Sequence, residues 1–255
     1  MRNSLIVTAL LAGLAASGTA FAEEAKAPYT LTGNVALASE YIYRGISQTN
    51  HKPAVQGGFD FAHESGIYLG TWGSNISWLS DAGGGTVSAP IELDFYGGYK
   101  GAAGDFGYDI GGLYYYYPGS YPDGYTSPNT FEGYLGLSYS FLSFKASYAF
   151  TNLFGTKTPD GEKTDGSYYL DLTATYPVAP GYNLIGHVGY QGVKDFDDAS
   201  YTDYKIGGTA DAVGLTFGLF YSGTNAKGDT GEFYHNPFDK DLGEGRVLFT
   251  ISKTL

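Results

Sequence analysis

Cysteine is absent from all 255 residues, so neither a disulfide nor a thiolate-bound metal can hold this fold together. Long hydrophobic runs are missing as well. After residue 22 no stretch approaches the ~20 apolar residues that a membrane-crossing helix needs, which excludes a helical span. Basic residues are few: 14 Lys and Arg stand against 26 Asp and Glu, a net charge of -12, and this argues against a nucleic-acid partner. What is abundant is 39 Gly, 25 Tyr and 16 Phe, the composition of aromatic-rich strands joined by tight turns.

Residues 1–22 read as an export signal that is cleaved off. Arg2 supplies the positive charge, Leu5 to Ala16 a short apolar core, and Ala20-Phe21-Ala22 a small-residue cleavage site. Residues 23–255 are expected to form one domain, because no linker or shift of composition interrupts them.

The last ten residues, RVLFTISKTL, alternate with period two. Val247, Phe249, Ile251 and Leu255 fall on one face, and Arg246, Leu248, Thr250, Ser252 and Thr254 on the other. Such a strand fits the closing strand of an outer-membrane barrel, with its apolar face on lipid, and it is the element that the barrel-assembly machinery would engage. Lys253 sits on the apolar parity, near enough to the end to snorkel to the headgroups.

A secreted β-sandwich would share this composition, and the phase of the charges separates the two. A sandwich tolerates charge on its outer face; a membrane barrel keeps it off the lipid face. Twelve period-two segments can be marked. Strand 1, residues 30–43, sets Leu31, Val35, Leu37, Tyr41 and Tyr43 against Glu40, with Arg44 following inward at its outer end. The remaining inward charges are Asp60 on strand 2, Glu92, Asp94 and Lys100 on strand 4, Asp109 on strand 5, Glu132 on strand 6, Lys145 on strand 7, Asp171 on strand 8, and Asp203 and Lys205 on strand 10. Strand 9 turns His187 inward. Strand 11 places Val213, Leu215, Phe217, Leu219 and Tyr221 on the lipid face, and Arg246 opens strand 12. Strand 3 carries no charge in either phase, which leaves the facing of Trp72 open. Connections alternate short and long, as periplasmic turns and extracellular loops do, and aromatic residues gather at both interfaces, Tyr43 among the outer ones. The fold expected is an all-β, transmembrane, antiparallel up-and-down barrel of about twelve strands.

The segments YIYRGISQT (residues 41–49), AVQGGFDFAHESGIYLGTWGSN (residues 54–75) and IELDFYGGY (residues 91–99), with the ending FTISKTL, resemble the TorF family of porin-like outer-membrane proteins along essentially the whole exported chain. The resemblance implies a small barrel and a passive channel. It supplies no substrate and no catalytic residue.

Twelve strands are more than side chains alone fill and fewer than the open porins use, so a narrow lumen is expected. The pore-lining set is Glu40, Arg44, Asp60, Glu92, Asp94, Asp109, Glu132, Lys145, Asp171, Asp203, Lys205 and Arg246. Its excess of acids favours cationic or zwitterionic solutes; alternatively these groups pair with one another and fill the interior. Arg44 and Arg246 are expected to converge at the outer mouth, either setting a field across the lumen or pairing Arg44 with Glu40. A barrel enzyme, protease or lipid hydrolase, would draw on Glu40, His51 and His235; none of the four histidines stands in a motif with a serine, and catalysis is not expected. A non-conducting surface adhesin is the other alternative. The acidic stretches 194–198 and 229–244 read as solvated surface charge, without metal-loop spacing, and no metal or cofactor is expected. The partners are outer-membrane lipid and small hydrophilic solutes.

Overall fold

The computed structural model describes residues 27–255; the expected export signal, residues 1–22, lies outside them. Twelve antiparallel strands, each paired to its sequence neighbours, close into a barrel. They are β1 (Tyr29–Ala38), β2 (Ala54–His63), β3 (Ile67–Asn75), β4 (Ile91–Ala103), β5 (Phe106–Tyr116), β6 (Thr130–Tyr139), β7 (Leu142–Ala149), β8 (Tyr168–Ala179), β9 (Tyr182–Gly192), β10 (Tyr201–Ala212), β11 (Leu215–Thr224) and β12 (Arg246–Thr254). The seam joins β1 to β12 with Asn34 opposite Thr254 and Ala38 opposite Thr250, so every strand has two partners and no edge is left open.

Period two governs the faces as the sequence implies. Leu31, Phe59, Leu69, Ile110, Leu135, Leu172, Ile206, Leu219 and Val247 are all exposed on the outside, a continuous apolar belt that water would not support. Aromatic pairs such as Phe106–Tyr139, with centroids 4.8 Å apart, and Phe131–Phe150, at 5.8 Å, lie near the two ends of the strands. Trp72 faces the interior, where its ring meets Tyr41 at 5.4 Å.

Short turns lie at one end of the barrel and long loops at the other: loop 1 (39–53), loop 2 (76–90), loop 3 (117–129), loop 4 (150–167), loop 5 (193–200) and loop 6 (225–245). Val213 belongs to a two-residue turn and not to the lipid-facing row of β11. With φ 50° at Val213 and 76° at Gly214, both central residues adopt the left-handed conformation of a type I′ hairpin, an unusual position for a β-branched side chain.

The largest departure from expectation is at the outer end of strand 1. β1 stops at Ala38, and the chain turns into the lumen, where Ile42–Tyr43 pairs with Ile46–Ser47 in a small hairpin. Tyr41 and Tyr43, expected on the lipid face, are therefore inside. Arg44 (φ 46°) and Gly45 (φ 81°) form its type I′ turn. A Cβ at Gly45 would run into Thr224 and Asp203, so glycine is needed there twice over, for its conformation and for its fit against the wall.

Replacing Leu135, which is 47% exposed between Ile110 and Ala146, by Arg should destabilise the barrel in lipid vesicles by about 2–4 kcal/mol. Urea titration of refolded protein measures this. Lys145→Arg, on the inner face of the neighbouring strand, should leave the midpoint nearly unchanged.

Candidate functional site

Inside the barrel the recurring problem is how to supply donors to carboxylates. Tyrosine does much of this, by leaning over a glycine. Tyr96 on β4 lies across Gly70 on β3, where a Cβ would meet its ring, and its hydroxyl donates to Asp60 on β2 at 2.6 Å. Tyr169 on β8 crosses Gly189 on β9 in the same way and reaches Asp203 on β10 at 2.9 Å. Tyr68 crosses Gly98, donates to Asp109 at 2.6 Å, and is hydrogen-bonded to Tyr134. Three neighbouring strands thus contribute a phenol, a gap and an acid.

The inner hairpin carries the one arginine that crosses to the far wall. Arg44 grips Glu132 on β6 with both ends of its guanidinium, Nη1 to Oε1 at 3.0 Å and Nη2 to Oε2 at 2.7 Å, and Nη1 also donates to Gln191 Oε1 on β9 at 2.8 Å. Its planar head lies 4.3 Å from the Tyr169 ring and 4.9 Å from that of Tyr43, stacking available to a guanidinium but not to an ammonium. The hydroxyls of Tyr43 and Tyr115 meet at 2.5 Å, and Tyr115 donates to Glu132 at 3.2 Å. Arg44 and Glu132 are buried to within a few per cent. The hairpin is therefore latched across the lumen.

Arg246 does not join it. Its Nε donates to Glu40 Oε2 at 2.8 Å and its Nη1 to Glu244 at 2.8 Å, at the β1–β12 seam. The two guanidiniums hold different carboxylates instead of converging, and Glu40 pairs with Arg246, so the alternative of an Arg44–Glu40 pair is not formed. His51, from loop 1, stands 3.8 Å from Glu40 and 3.5 Å from Glu244. Burial, the largest influence, pushes its imidazole below the ordinary range, with Glu40 pulling the other way. His235 is elsewhere, on Asp239 and the Gly228 carbonyl, so the gathering of Glu40, His51 and His235 that a barrel enzyme would draw on is not formed.

The other inward residues fall into two arcs. Asp60, Glu92 and Asp94 lie on β2 and β4; Tyr41 donates to Glu92 at 2.7 Å, while Asp94 Oδ1 is buried without a partner among the described residues. Asp109 has Lys100 at 3.8 Å. On the opposite arc Lys145 sits over the Tyr134 ring at 4.0 Å and Lys205 over Phe220 at 5.4 Å. His187, inward as its parity implies, bridges Asp171 at 3.2 Å and Asp203 at 2.8 Å. Thr173 also touches its Nδ1, at 3.1 Å, but with a carboxylate on each ring nitrogen no lone pair is left to act as a base toward a hydroxyl.

A family model described as "Bacterial protein of unknown function (Gcw_chp)" matches residues 22–255. The chain belongs to the Gcw_chp family. No curated protein matches it. Among solved structures the Gcw_chp barrel is similar to the NanC porin, at 11% identity and TM-score 0.52 over 88% of this chain and 98% of that one. It is similar to the KdgM porin at 8% identity and TM-score 0.52 over 88% and 97%, and to the KdgM porin in complex with disordered oligogalacturonate at 9% and 0.51 over 88% and 98%. At such identities the likeness is one of fold.

The sequence of the Gcw_chp chain does hold a signal for the latch. Arg44-Gly45 interrupts a run of alternating apolar residues, and a glycine at that place marks a two-residue turn. Arg44→Met should destabilise the barrel by about 3–5 kcal/mol, because Glu132 is left as an uncompensated buried charge. Adding Glu132→Gln should restore most of the loss in urea-unfolding midpoints. An additive double variant would show that the pair is not coupled.

Proposed function

We propose that this protein is an outer-membrane channel through which small hydrophilic solutes diffuse, narrowed by the latched hairpin at 42–47. One observation carries the reading: a closed twelve-strand barrel with an apolar outer belt holds a polar interior in which a loop is pinned by buried hydrogen bonds near the outer ends of β6 and β9. A belt of that kind needs lipid, and a strand barrel crossing lipid belongs to the outer membrane. The export signal at residues 1–22 and the apolar closing strand, through which the assembly machinery would insert the barrel, agree with this. The likeness of residues 41–49 and 54–75 to TorF porin-like proteins supports the same reading.

The inward acids outnumber the inward lysines, and the two are interleaved around the wall, Lys100 sharing β4 with Glu92 and Asp94 and Lys205 sharing β10 with Asp203. Asp60, Asp109 and Asp171 stay partly open to the lumen, so the lumen prefers cationic or zwitterionic solutes over anions. The acidic oligosaccharide named with the KdgM porin is therefore not the solute expected here. Nor does the geometry favour an enzyme, since the histidine nearest a hydroxyl inside the wall is saturated by Asp171 and Asp203.

In planar bilayers the purified protein should give discrete conductance steps and a cation-selective reversal potential. Asp60→Asn with Asp109→Asn should move that potential toward zero while the barrel keeps its heat-resistant mobility. Absence of steps from folded protein would reject the channel. An unmoved potential would reject the role of these acids.

A further inference from the structure

Above the latch the loops enclose a cavity of about 310 Å³, at the small end of ligand pockets, which run from about 300 to 1,000 Å³. Loops 1, 2, 4 and 6 contribute most of its lining. Aromatic rings form two groups there. In one, Trp78 and Tyr117 stand edge to face with centroids 5.7 Å apart, as do Tyr43 and Phe154, and Phe154 meets Tyr117 at 6.4 Å. In the other, Tyr234 meets Tyr201 at 5.1 Å and Phe233 at 4.8 Å. The amides of Gln48, Asn50, Gln191 and Asn236 line the same space.

Trp78 lines the cavity with its ring, while its Nε1, a buried donor with no acceptor among the described residues, is closed off behind it. One detail marks this as more than loop packing. Phe154 is held at φ 50°, followed by Gly155 at 74°. A bulky residue keeps that conformation only when its surroundings enforce it, and here it puts the ring against Tyr43, Tyr115 and Tyr117.

The lining selects by chemistry. It contains no lysine or arginine among the described residues, and its one histidine, His235, is held by Asp239 and the Gly228 carbonyl, so an anion finds no free counter-charge. Its one carboxylate is Asp81, which already accepts the Ser77 hydroxyl at 2.7 Å, and the rings turn their faces to one another's edges, which leaves no cage for a quaternary ammonium. A free amino acid would leave its carboxylate unpaired. What fits is a molecule with apolar C–H faces for the rings and hydroxyls for the amides of Gln48 and Asn50. We infer that this cavity binds a neutral sugar, a mono- or disaccharide, on its way into the lumen; the inference rests on the channel reading and names its solute class.

The chain has only two tryptophans, so in the full-length Trp72→Phe protein Trp78 alone reports on the cavity. Maltose or glucose should change its emission saturably in the millimolar range, weak enough for a solute that must leave again, while glucuronate and choline should not saturate. Phe154→Leu and Tyr234→Leu should each weaken the response about tenfold in protein that retains heat-resistant mobility. Should either variant fail to fold, maltose-dependent interruptions of the single-channel current in the unmodified protein give the second readout. No saturable response to either neutral sugar, or tighter binding of glucuronate or choline, overturns the inference. Conductance without a sugar response would leave the channel standing and remove the sugar site. A sugar response without conductance would do the reverse.

Discussion

A carboxylate inside a narrow barrel must find a hydrogen-bond donor, and most of what is distinctive in this structure follows from that need. The desolvation of a buried charge is large, and a pair or a set of donors has to offset it. This chain has few cations to give. It uses phenols instead, and a phenol reaches a carboxylate two strands away only if the strand between presents no side chain. The abundance of tyrosine and the abundance of glycine are thus two halves of one device, seen at Tyr96 over Gly70 to Asp60 and at Tyr169 over Gly189 to Asp203. Other acids are met by basic groups, Glu40 by Arg246, Asp109 by Lys100 and Asp171 by His187. Glu132 is answered by an arginine brought from loop 1, and bringing it there folds the loop into the lumen.

That single bridge couples wall to loop and loop to function. The hairpin at 42–47 cannot be held by its own backbone, having two paired residues on each side; Arg44, Tyr43 and the fit of Gly45 against Asp203 and Thr224 hold it. Loop 2 then docks on loop 1 through the Gln48 carbonyl, which accepts from Ser77 and Trp78, and loop 6 docks through Asn50, which accepts from Asn236 and Lys240. The outer mouth is consequently a built surface of several loops stacked on one latch, with the cavity between them and the acidic lumen beneath.

Much of this is legible in the sequence because period two is unforgiving. A slip of one residue would put Glu92, Asp94 or Asp171 into lipid, so the phase of the charges determines which face is which, and strands 4 to 10 face as their alternation implies. Alternation misleads where it persists by coincidence. Tyr41 and Tyr43 continue the parity of Val35 and Leu37 on β1, yet belong to the inner hairpin; the chain leaves the wall at Ala38 for the sake of Arg44, a contact with residues far away in sequence. Val213 likewise keeps step with Leu215 and Phe217 while sitting in the turn. The facing of Trp72 is undetermined by pattern because strand 3 has no charge to fix its phase. The partners of Arg44 and Arg246 depend on how far loop 1 reaches across the lumen, which no local pattern encodes.

We propose the hairpin as a constriction held by Arg44 and Glu132, and single-channel conductance tests that most directly. Replacing residues 42–47 by a short Gly-Ser link, together with Glu132→Gln so that no buried charge is left unpaired, should give a folded barrel with conductance raised severalfold and weakened discrimination between cations and anions. A folded barrel with the conductance and selectivity of the unmodified protein would contradict it.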